Sequence, residues 1–198
     1  MKAKAIVFEA PLSLQVRELE LAPMGPLDIE VAVQFRGIST GNERLLWEGT
    51  MPPFPGLAYP LVPGYETVGT VSAMGADVST VAIGDTVFLP GSYAFQGVQN
   101  IFGGAGERLV VPSERAVKLN PSLGVNGILL ALAATAHHVF TSGPSSDRLS
   151  YPDLIVGHGI MGRLLARLVI AAGQPAPTVW ETQGVRRAGG VGYTVIHP

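Results

Sequence analysis

Residues 154–162 read Leu-Ile-Val-Gly-His-Gly-Ile-Met-Gly. An apolar strand running straight into Gly-x-Gly-x-x-Gly restricts the fold of this chain more than any other stretch of it. Gly157 permits a tight turn, Gly159 lets backbone approach a pyrophosphate, and Gly162 lets the next helix pack close to the strand. Arg163 to Ala172 has helical character through Leu164, Leu165, Leu168 and Val169, and Gly173 closes it. The start of that helix, at Ile160 and Met161, offers free N–H groups and a positive dipole end to phosphates. A second apolar run, Thr178-Val179-Trp180, ends in Glu181, an acid about 20 residues on that can hydrogen-bond a ribose diol. The glycines alone are a weak signal, and a glycine-rich turn in another α/β unit is the alternative. Strand, glycines, helix, strand and acid in this order point to a bound dinucleotide.

Glu181 favours NAD, because the 2′-phosphate of NADP would meet a carboxylate. Arg186 and Arg187 could receive that phosphate instead, which keeps NADP open, but both lie five or more residues past the strand. His158 sits at a variable position of the fingerprint and is read as contributing backbone only.

The 198 residues suffice for one large domain or two small ones. With 47% hydrophobic and 14% charged residues the chain can bury a core, which argues against disorder. A net charge of −2, with no basic block beyond Arg186-Arg187, gives no sign of a nucleic-acid partner. The absence of cysteine excludes disulfides, a thiol nucleophile and cysteine-ligated metal sites. It also fits a cytoplasmic location. Met1–Phe8, soon followed by Glu9 and Pro11, reads as a first strand rather than a signal peptide. The runs at 154–156 and 164–172 are punctuated by Gly, His and Arg, and no run approaches the roughly 20 residues of a membrane span. The mean hydropathy of +0.34 is high, as for a large buried sheet or an apolar site or surface.

The class expected is α/β with an N-terminal all-β domain. Short strands recur over residues 1–118: Ala3–Phe8, Leu14–Glu20, Asp28–Gly37, Glu66–Ser72, Thr86–Leu89, Glu107–Val111 and Ala116–Lys118. Within Asp28–Gly37, Ile29, Val31, Val33 and Phe35 alternate onto one face. Pro52-Pro53-Phe54-Pro55-Gly56 must be a loop. Such a series suggests a partly open barrel. Leu123–Phe140 reads as one helix, residues 143–150 as a polar loop, and Gly192–His197 ends in a third strand of the nucleotide unit. The domains expected are 1–120, a connecting helix and loop at 121–150, and a partial nucleotide-binding domain at 151–198. Only strands 1 to 3 of the doubly wound order 3-2-1-4-5-6 are accounted for. The chain is therefore expected to be a fragment or a non-standard version, and a poor catalyst by itself.

Further motifs fall in a telling order. They are Gly64-Tyr65-Glu66, Gly84-Asp85-Thr86-Val87, Gly103-Gly104-Ala105-Gly106-Glu107 and Thr135-Ala136-His137-His138. With the fingerprint, they resemble the medium-chain dehydrogenase/reductase superfamily, whose N-terminal domain is a GroES-like barrel. The stretches Gly37–Trp47, Met51–Gly56, Tyr59–Glu66 and Gly157–Leu168 are similar to one zinc-free subgroup, which oxidises the 3-hydroxyethyl side chain of a bacteriochlorophyllide to 3-acetyl. The resemblance implies an NAD-dependent alcohol dehydrogenase, a tetrapyrrole partner, and a homodimer for a longer form. The alternatives are a zinc-free quinone or enoyl reductase of the same superfamily, and a truncated nucleotide- or pigment-binding product without turnover.

The superfamily's zinc enzymes hold catalytic metal with Cys, His and Cys, where this chain has Ser39, Tyr65 and Ala131. These do not make a zinc site, so no metal is expected. Charge developing on the alcohol oxygen then needs a hydrogen-bonding or general-base group. The resemblance places Ser39, Thr40, Tyr65 and Glu66 there, with Tyr65 as proton donor or acceptor and Glu66 orienting the pocket. Filling of a vacated metal pocket, and a strand-end salt bridge for Glu66, are the plain readings. Glu43 reads as a loop charge near the site, and His137 and His138 as core or surface residues. Thr135 is placed beside the nicotinamide. Trp47, Phe54, Tyr59 and Tyr93 would line a pocket for a flat macrocycle, or pack the barrel.

Overall fold

The structure, a computed structural model, describes residues 1–141 and 150–198. The polar loop expected at 143–150 thus lies outside the described residues, except for Ser150. The chain forms two compact units, Met1–Leu130 and Ala131–Pro198. Their boundary falls within the segment read as a connecting helix.

The first unit contains β1 (Lys2–Ala10), β2 (Ser13–Glu20), β3 (Asp28–Arg36), β4 (Leu61–Pro63), β5 (Thr67–Met74), β6 (Thr86–Leu89), β7 (Gln99–Ile101), β8 (Arg108–Pro112) and β9 (Val117–Lys118). They form one sheet of order β2-β1-β4-β7 and another of order β8-β3-β5-β6-β9. Isolated bridges, Ala5 to Gly106 and Pro63 to Phe102 among them, add contacts outside these strands. Ile29, Val31, Val71, Val87, Leu89 and Leu109 fill the core. The expected strands all appear. The three-residue β4 and β7 were not foreseen, because so short a strand shows no alternation.

The alternation in β3 holds only in part. Ile29 and Val31 are buried, but Phe35 is 40% exposed. The register against β5 shifts between Val33 and Phe35. Such a bulge re-aims the side chains beyond it. Here it leaves the Arg36 side chain largely covered, at 15% exposure.

A seven-residue helix, α1 (Asn42–Glu48), follows β3 and ends at Gly49, whose φ of +71° is left-handed. Leu46 on α1 joins Phe8, Leu61 and Ile101 in a second apolar cluster, with Trp47 and Tyr59 packed against it. The sequence pattern reads Glu43 as a loop charge. It is a buried residue of α1. Two turns of helix are too short for a period to announce.

The expected helix Leu123–Phe140 divides in two. Pro121–Leu129 is 3-10, broken at Gly124 (φ 50°, ψ −132°), and α2 (Leu130–Thr141) follows. Gly124, Asn126 and Gly127 are poor helix formers. A Cβ on Gly127 would stand 2.7 Å from the Leu119 side chain, so close packing favours glycine there. Contrary to the expectation that no run approaches a membrane span, Pro121–Thr141 is long and apolar enough to cross one by length and composition. The break at Gly124 interrupts it.

The second unit carries β10 (Leu154–Val156), α3 (Ile160–Ala171), β11 (Thr178–Trp180), α4 (Gly184–Arg187) and β12 (Thr194–Ile196). The three strands are parallel, in the order β10-β11-β12. Ile155, Ala166 and Val179 make its core. This is the βαβαβ arrangement of the first half of a dinucleotide fold.

Candidate active site and dinucleotide cradle

The loop between β3 and α1 carries the candidate site of the first unit. The Ser39 Oγ accepts the Asn42 backbone N–H at 3.2 Å, a local side-chain-to-backbone bond just ahead of the Gly41 N-cap. The Glu43 carboxylate turns back and accepts the Ser39 N–H at 2.6 Å through Oε2. Its Oε1 accepts from the Arg36 guanidinium. Asn42 also donates from Nδ2 to the Tyr65 hydroxyl at 3.4 Å. One asparagine thus touches both hydroxyls at the expected catalytic position, Ser39 and Tyr65. The sequence reading did not single out Asn42.

Four of the expected residues do not share one cavity. Ser39 and Thr40 line a cavity of about 490 Å³ together with Ile6, Phe8, Arg36 and Trp47. Tyr65 lines a second cavity of about 310 Å³ with Phe54 and Phe102. Glu43 borders both. Glu66 is buried, and its Oε1 has no hydrogen-bond partner among the described residues. The aromatic residues divide as well. Trp47 faces the first cavity and Phe54 the second, while Tyr59 packs in the second apolar cluster. Tyr93 lies under the Arg115 guanidinium, 4.7 Å from ring centre to Cζ.

Arg36, Glu43 and Glu66 form a charged cluster that sequence reasoning missed. Glycines make room for it. A Cβ on Gly64 would stand 2.7 Å from Arg36 Nε, and one on Gly37 would collide with the Glu66 carboxylate. Burial pushes the Arg36 guanidinium below its ordinary value, against the opposing pull of Glu43 and Glu66. Burial raises Glu43 against the effects of Arg36 and the Ser39 N–H. Glu66 is raised by burial and then by the Glu43 charge, with Arg36 opposing. Two carboxylates share one cation, so one of them has reason to keep its proton.

The second unit carries its own candidate site, the glycine turn. Gly157 has φ +98°, and its N–H donates to the Trp180 carbonyl at 2.7 Å, which ties the turn to β11. A Cβ on Gly162 would stand 1.9 Å from the Gly157 carbonyl oxygen, so α3 and the turn meet at the closest distance glycine allows. A Cβ on Gly159 would meet nothing within 4 Å. The α3 N-terminus has no side-chain cap, which leaves the N–H groups at Ile160, Met161 and Gly162 facing an open cradle. These features fit a pyrophosphate.

Glu181 follows β11 and is buried. Its Oε1 accepts the Gln183 N–H at 2.8 Å and its Oε2 the His158 N–H at 3.0 Å. The Gln183 and His158 N–H groups, in that order, hold its carboxyl below the ordinary value. An ionised carboxylate with a second lone pair free on each oxygen can accept a ribose diol.

His158 corrects the sequence reading, which credited it with backbone only. Its side chain is buried, with Nδ1 2.6 Å from the Arg186 carbonyl and Nε2 2.8 Å from the Tyr193 hydroxyl. Thr135 donates to the Ala131 carbonyl at 3.0 Å along its own helix. His137 and His138 are exposed on the same helix. Among the described residues, no three His, Cys, Asp or Glu side chains converge as a metal site would need.

Residues 25–121 match the alcohol dehydrogenase GroES-like domain. With the parallel nucleotide unit behind it, this defines the class: the chain is a homologue of the medium-chain dehydrogenase/reductases. A zinc-binding dehydrogenase, so described, from Sinorhizobium meliloti 1021 and bound to NADP has a TM-score of 0.75 at 25% identity. The match covers 100% of this chain and 62% of that one. An alcohol dehydrogenase of Escherichia coli CFT073, complexed with NADH, has a TM-score of 0.75 at 21% identity and shows the same fold over 98% of this chain and 62% of its own. The particular likeness is to 2-desacetyl-2-hydroxyethyl bacteriochlorophyllide A dehydrogenase of Rhodobacter capsulatus, 47% identical over 100% of this chain. The chain spans 62% of the length of that relative.

Proposed function

We propose that this chain belongs to an NAD-dependent, zinc-independent dehydrogenase that oxidises the 3-hydroxyethyl group of a bacteriochlorophyllide to 3-acetyl, in the cytoplasm. The observation that carries the reading is the 47% identity to the Rhodobacter enzyme, which runs through both units rather than one. The apolar cavity beside Ser39 and Thr40 supports it, since Ile6, Phe8, Leu14 and Trp47 suit the edge of a flat macrocycle. A homodimer of the longer form belongs to the same proposal.

Oxidation removes a hydride from the carbinol carbon and a proton from its hydroxyl. NAD, when bound, supplies the hydride acceptor. Gly157, Gly159, Ile160, Met161 and Gly162 would hold its pyrophosphate and Glu181 its ribose, with Thr135 toward the nicotinamide. In the barrel unit, Ser39 and Thr40 orient the substrate hydroxyl. Asn42 occupies a lone pair on Ser39 Oγ and on the Tyr65 oxygen, so both residues keep an O–H to offer. Tyr65 exchanges the proton, and Glu66 lies beneath as part of the charged cluster. A quinone or enoyl reductase is the second reading, favoured by the exposed Arg186, which lies close enough for its charge to act on Glu181 and could receive the 2′-phosphate of NADP.

The test is to assay 3-hydroxyethyl bacteriochlorophyllide with NAD and with NADP, using the chain and a form extended to the relatives' length. The expected result is formation of the acetyl product with NAD, chiefly by the extended form. Quinone reduction with NADPH and no alcohol oxidation would favour the second reading. Equal turnover by the two forms would show the added length to be dispensable. Elemental analysis is expected to find no stoichiometric zinc, and one tightly held zinc per chain would sink that part of the proposal.

A further inference from the structure

His158 and Arg163 flank the phosphate turn, yet neither faces the cradle. Both reach across to the segment that follows Glu181. The Arg186 carbonyl can only accept a hydrogen bond, so His158 Nδ1, 2.6 Å away, carries the proton. In the neutral ring, Nε2 then accepts from the Tyr193 hydroxyl at 2.8 Å. The ring is 1% exposed and makes an edge contact with Tyr193. The Arg163 guanidinium donates to three carbonyls of this segment: Arg186 at 3.2 Å, Ala188 at 2.8 Å and Gly189 at 3.2 Å. Its Nε donates to the His158 carbonyl at 3.2 Å. A Cβ on Gly189 would stand 2.7 Å from Arg163 Nη1, so glycine is what lets the guanidinium in.

We propose that His158 and Arg163 form a two-pronged clamp of positioning residues that fixes the segment 183–192 against the phosphate turn and thereby sets the choice between NAD and NADP. The inference rests on the dinucleotide reading of this unit. Its physical basis is that the clamp and Glu181 share an anchor. The His158 N–H bonds the carboxylate while its ring holds Arg186, and Gln183, at the start of the clamped segment, supplies the other N–H. The carboxylate opposes a 2′-phosphate only while that frame holds it. Arg186, an exposed cation whose charge reaches Glu181, departs from a backbone that the clamp holds at its own carbonyl, so the clamp sets where that cation can reach. Releasing the clamp frees the cation and loosens the carboxylate together, and both changes favour NADP.

The experiment is titration of the purified chain with NAD and NADP, by calorimetry, for the native protein and for Arg163→Gln, Arg163→Lys and His158→Gln. Arg163→Gln should lower the NAD-over-NADP affinity ratio about fivefold or more. Arg163→Lys keeps the charge but loses the planar fork, so its ratio should lie between the two. His158→Gln retains a donor for the Arg186 carbonyl and should recover most of the native ratio. A merely structural role would weaken both dinucleotides equally. A native ratio in Arg163→Gln, with circular dichroism showing an intact fold, overturns the clamp and leaves the dinucleotide reading standing. Failure of the native chain to bind either dinucleotide would overturn both.

Discussion

Glu43 in the barrel unit and Glu181 in the nucleotide unit are nearly equally buried, at 4% and 6% exposure, and they are held in opposite ways. Glu43 depends on another side chain, the Arg36 guanidinium, together with one backbone N–H, and burial still raises it. Glu181 has two backbone N–H groups and, among the described residues, no ion pair, and it is lowered. The difference lies in what each arrangement can lose. Backbone donors come with the fold of the turn, so no single side-chain substitution elsewhere removes what holds a carboxylate bound by them. A side-chain cation can be removed by one substitution, which leaves a desolvated charge behind.

The sharpest way to break this comparison is Arg36→Met. It should cost about 3–5 kcal/mol of stability, because Glu43 is left buried without its cation. Adding Glu43→Gln should recover most of the loss. Urea unfolding would check it, and a single variant as stable as the native chain would place the cluster in contact with water.

Two glycines of the fingerprint should then separate folding from binding. Gly162→Ala pushes a Cβ to 1.9 Å from a backbone oxygen and should cost about 1–3 kcal/mol. Gly159→Ala meets no protein atom within 4 Å and, at φ −75°, needs no unusual backbone. Its stability should stay within about 0.5 kcal/mol of native. NAD binding should nevertheless weaken, because the added methyl stands where the pyrophosphate comes closest. A destabilised Gly159→Ala with native NAD affinity would contradict the assignment of the cradle.

Glu181→Ala should weaken NAD about tenfold and relax selection against NADP. An unchanged ratio of the two affinities would place the acid outside the ribose site.

The smallest effect expected is in the pH dependence, where the two units should pull in opposite directions. For Glu66 the folded value lies above the ordinary 4.5. The native state therefore holds more protons than the unfolded one from 4.5 upward, and stability falls as pH rises through that window. For Glu181 the folded value lies below 4.5, so its contribution is present above 4.5 and is lost as pH falls through the folded value. Glu66→Gln should flatten the stability profile on the neutral side, and Glu181→Gln on the acid side. Urea midpoints across the range would show it, and one shared profile for both variants would remove the contrast.

The candidate site was unevenly legible in the sequence. The glycine turn could be read because each of its constraints is local: a positive φ at Gly157 and a missing Cβ at Gly162 follow from neighbours a few residues away. Ser39 and Tyr65 could be named by resemblance, but not their places in two cavities or their common contact with Asn42. Arg36 passes unremarked within the strand read at Asp28–Gly37 and Glu43 reads as a loop charge, since a pattern of residue types does not say which charges will be covered. A signal for them was present in Gly37 and Gly64, two glycines beside charged residues where a larger side chain would collide with the cluster.

By itself the sequence determined the order of elements, the barrel ahead of a parallel nucleotide unit, and the chemistry of the phosphate turn. Those follow from alternation, turn residues and missing Cβ atoms, which act over a few bonds. Only the tertiary structure decided that Phe35 would yield the inner face to Arg36 after a bulge, that Glu43 and Glu66 would share one cation, and that His158 would reach Arg186 and Tyr193. Each of these joins groups on different elements. Their energies depend on which surfaces water has left, and that is settled only when the elements pack.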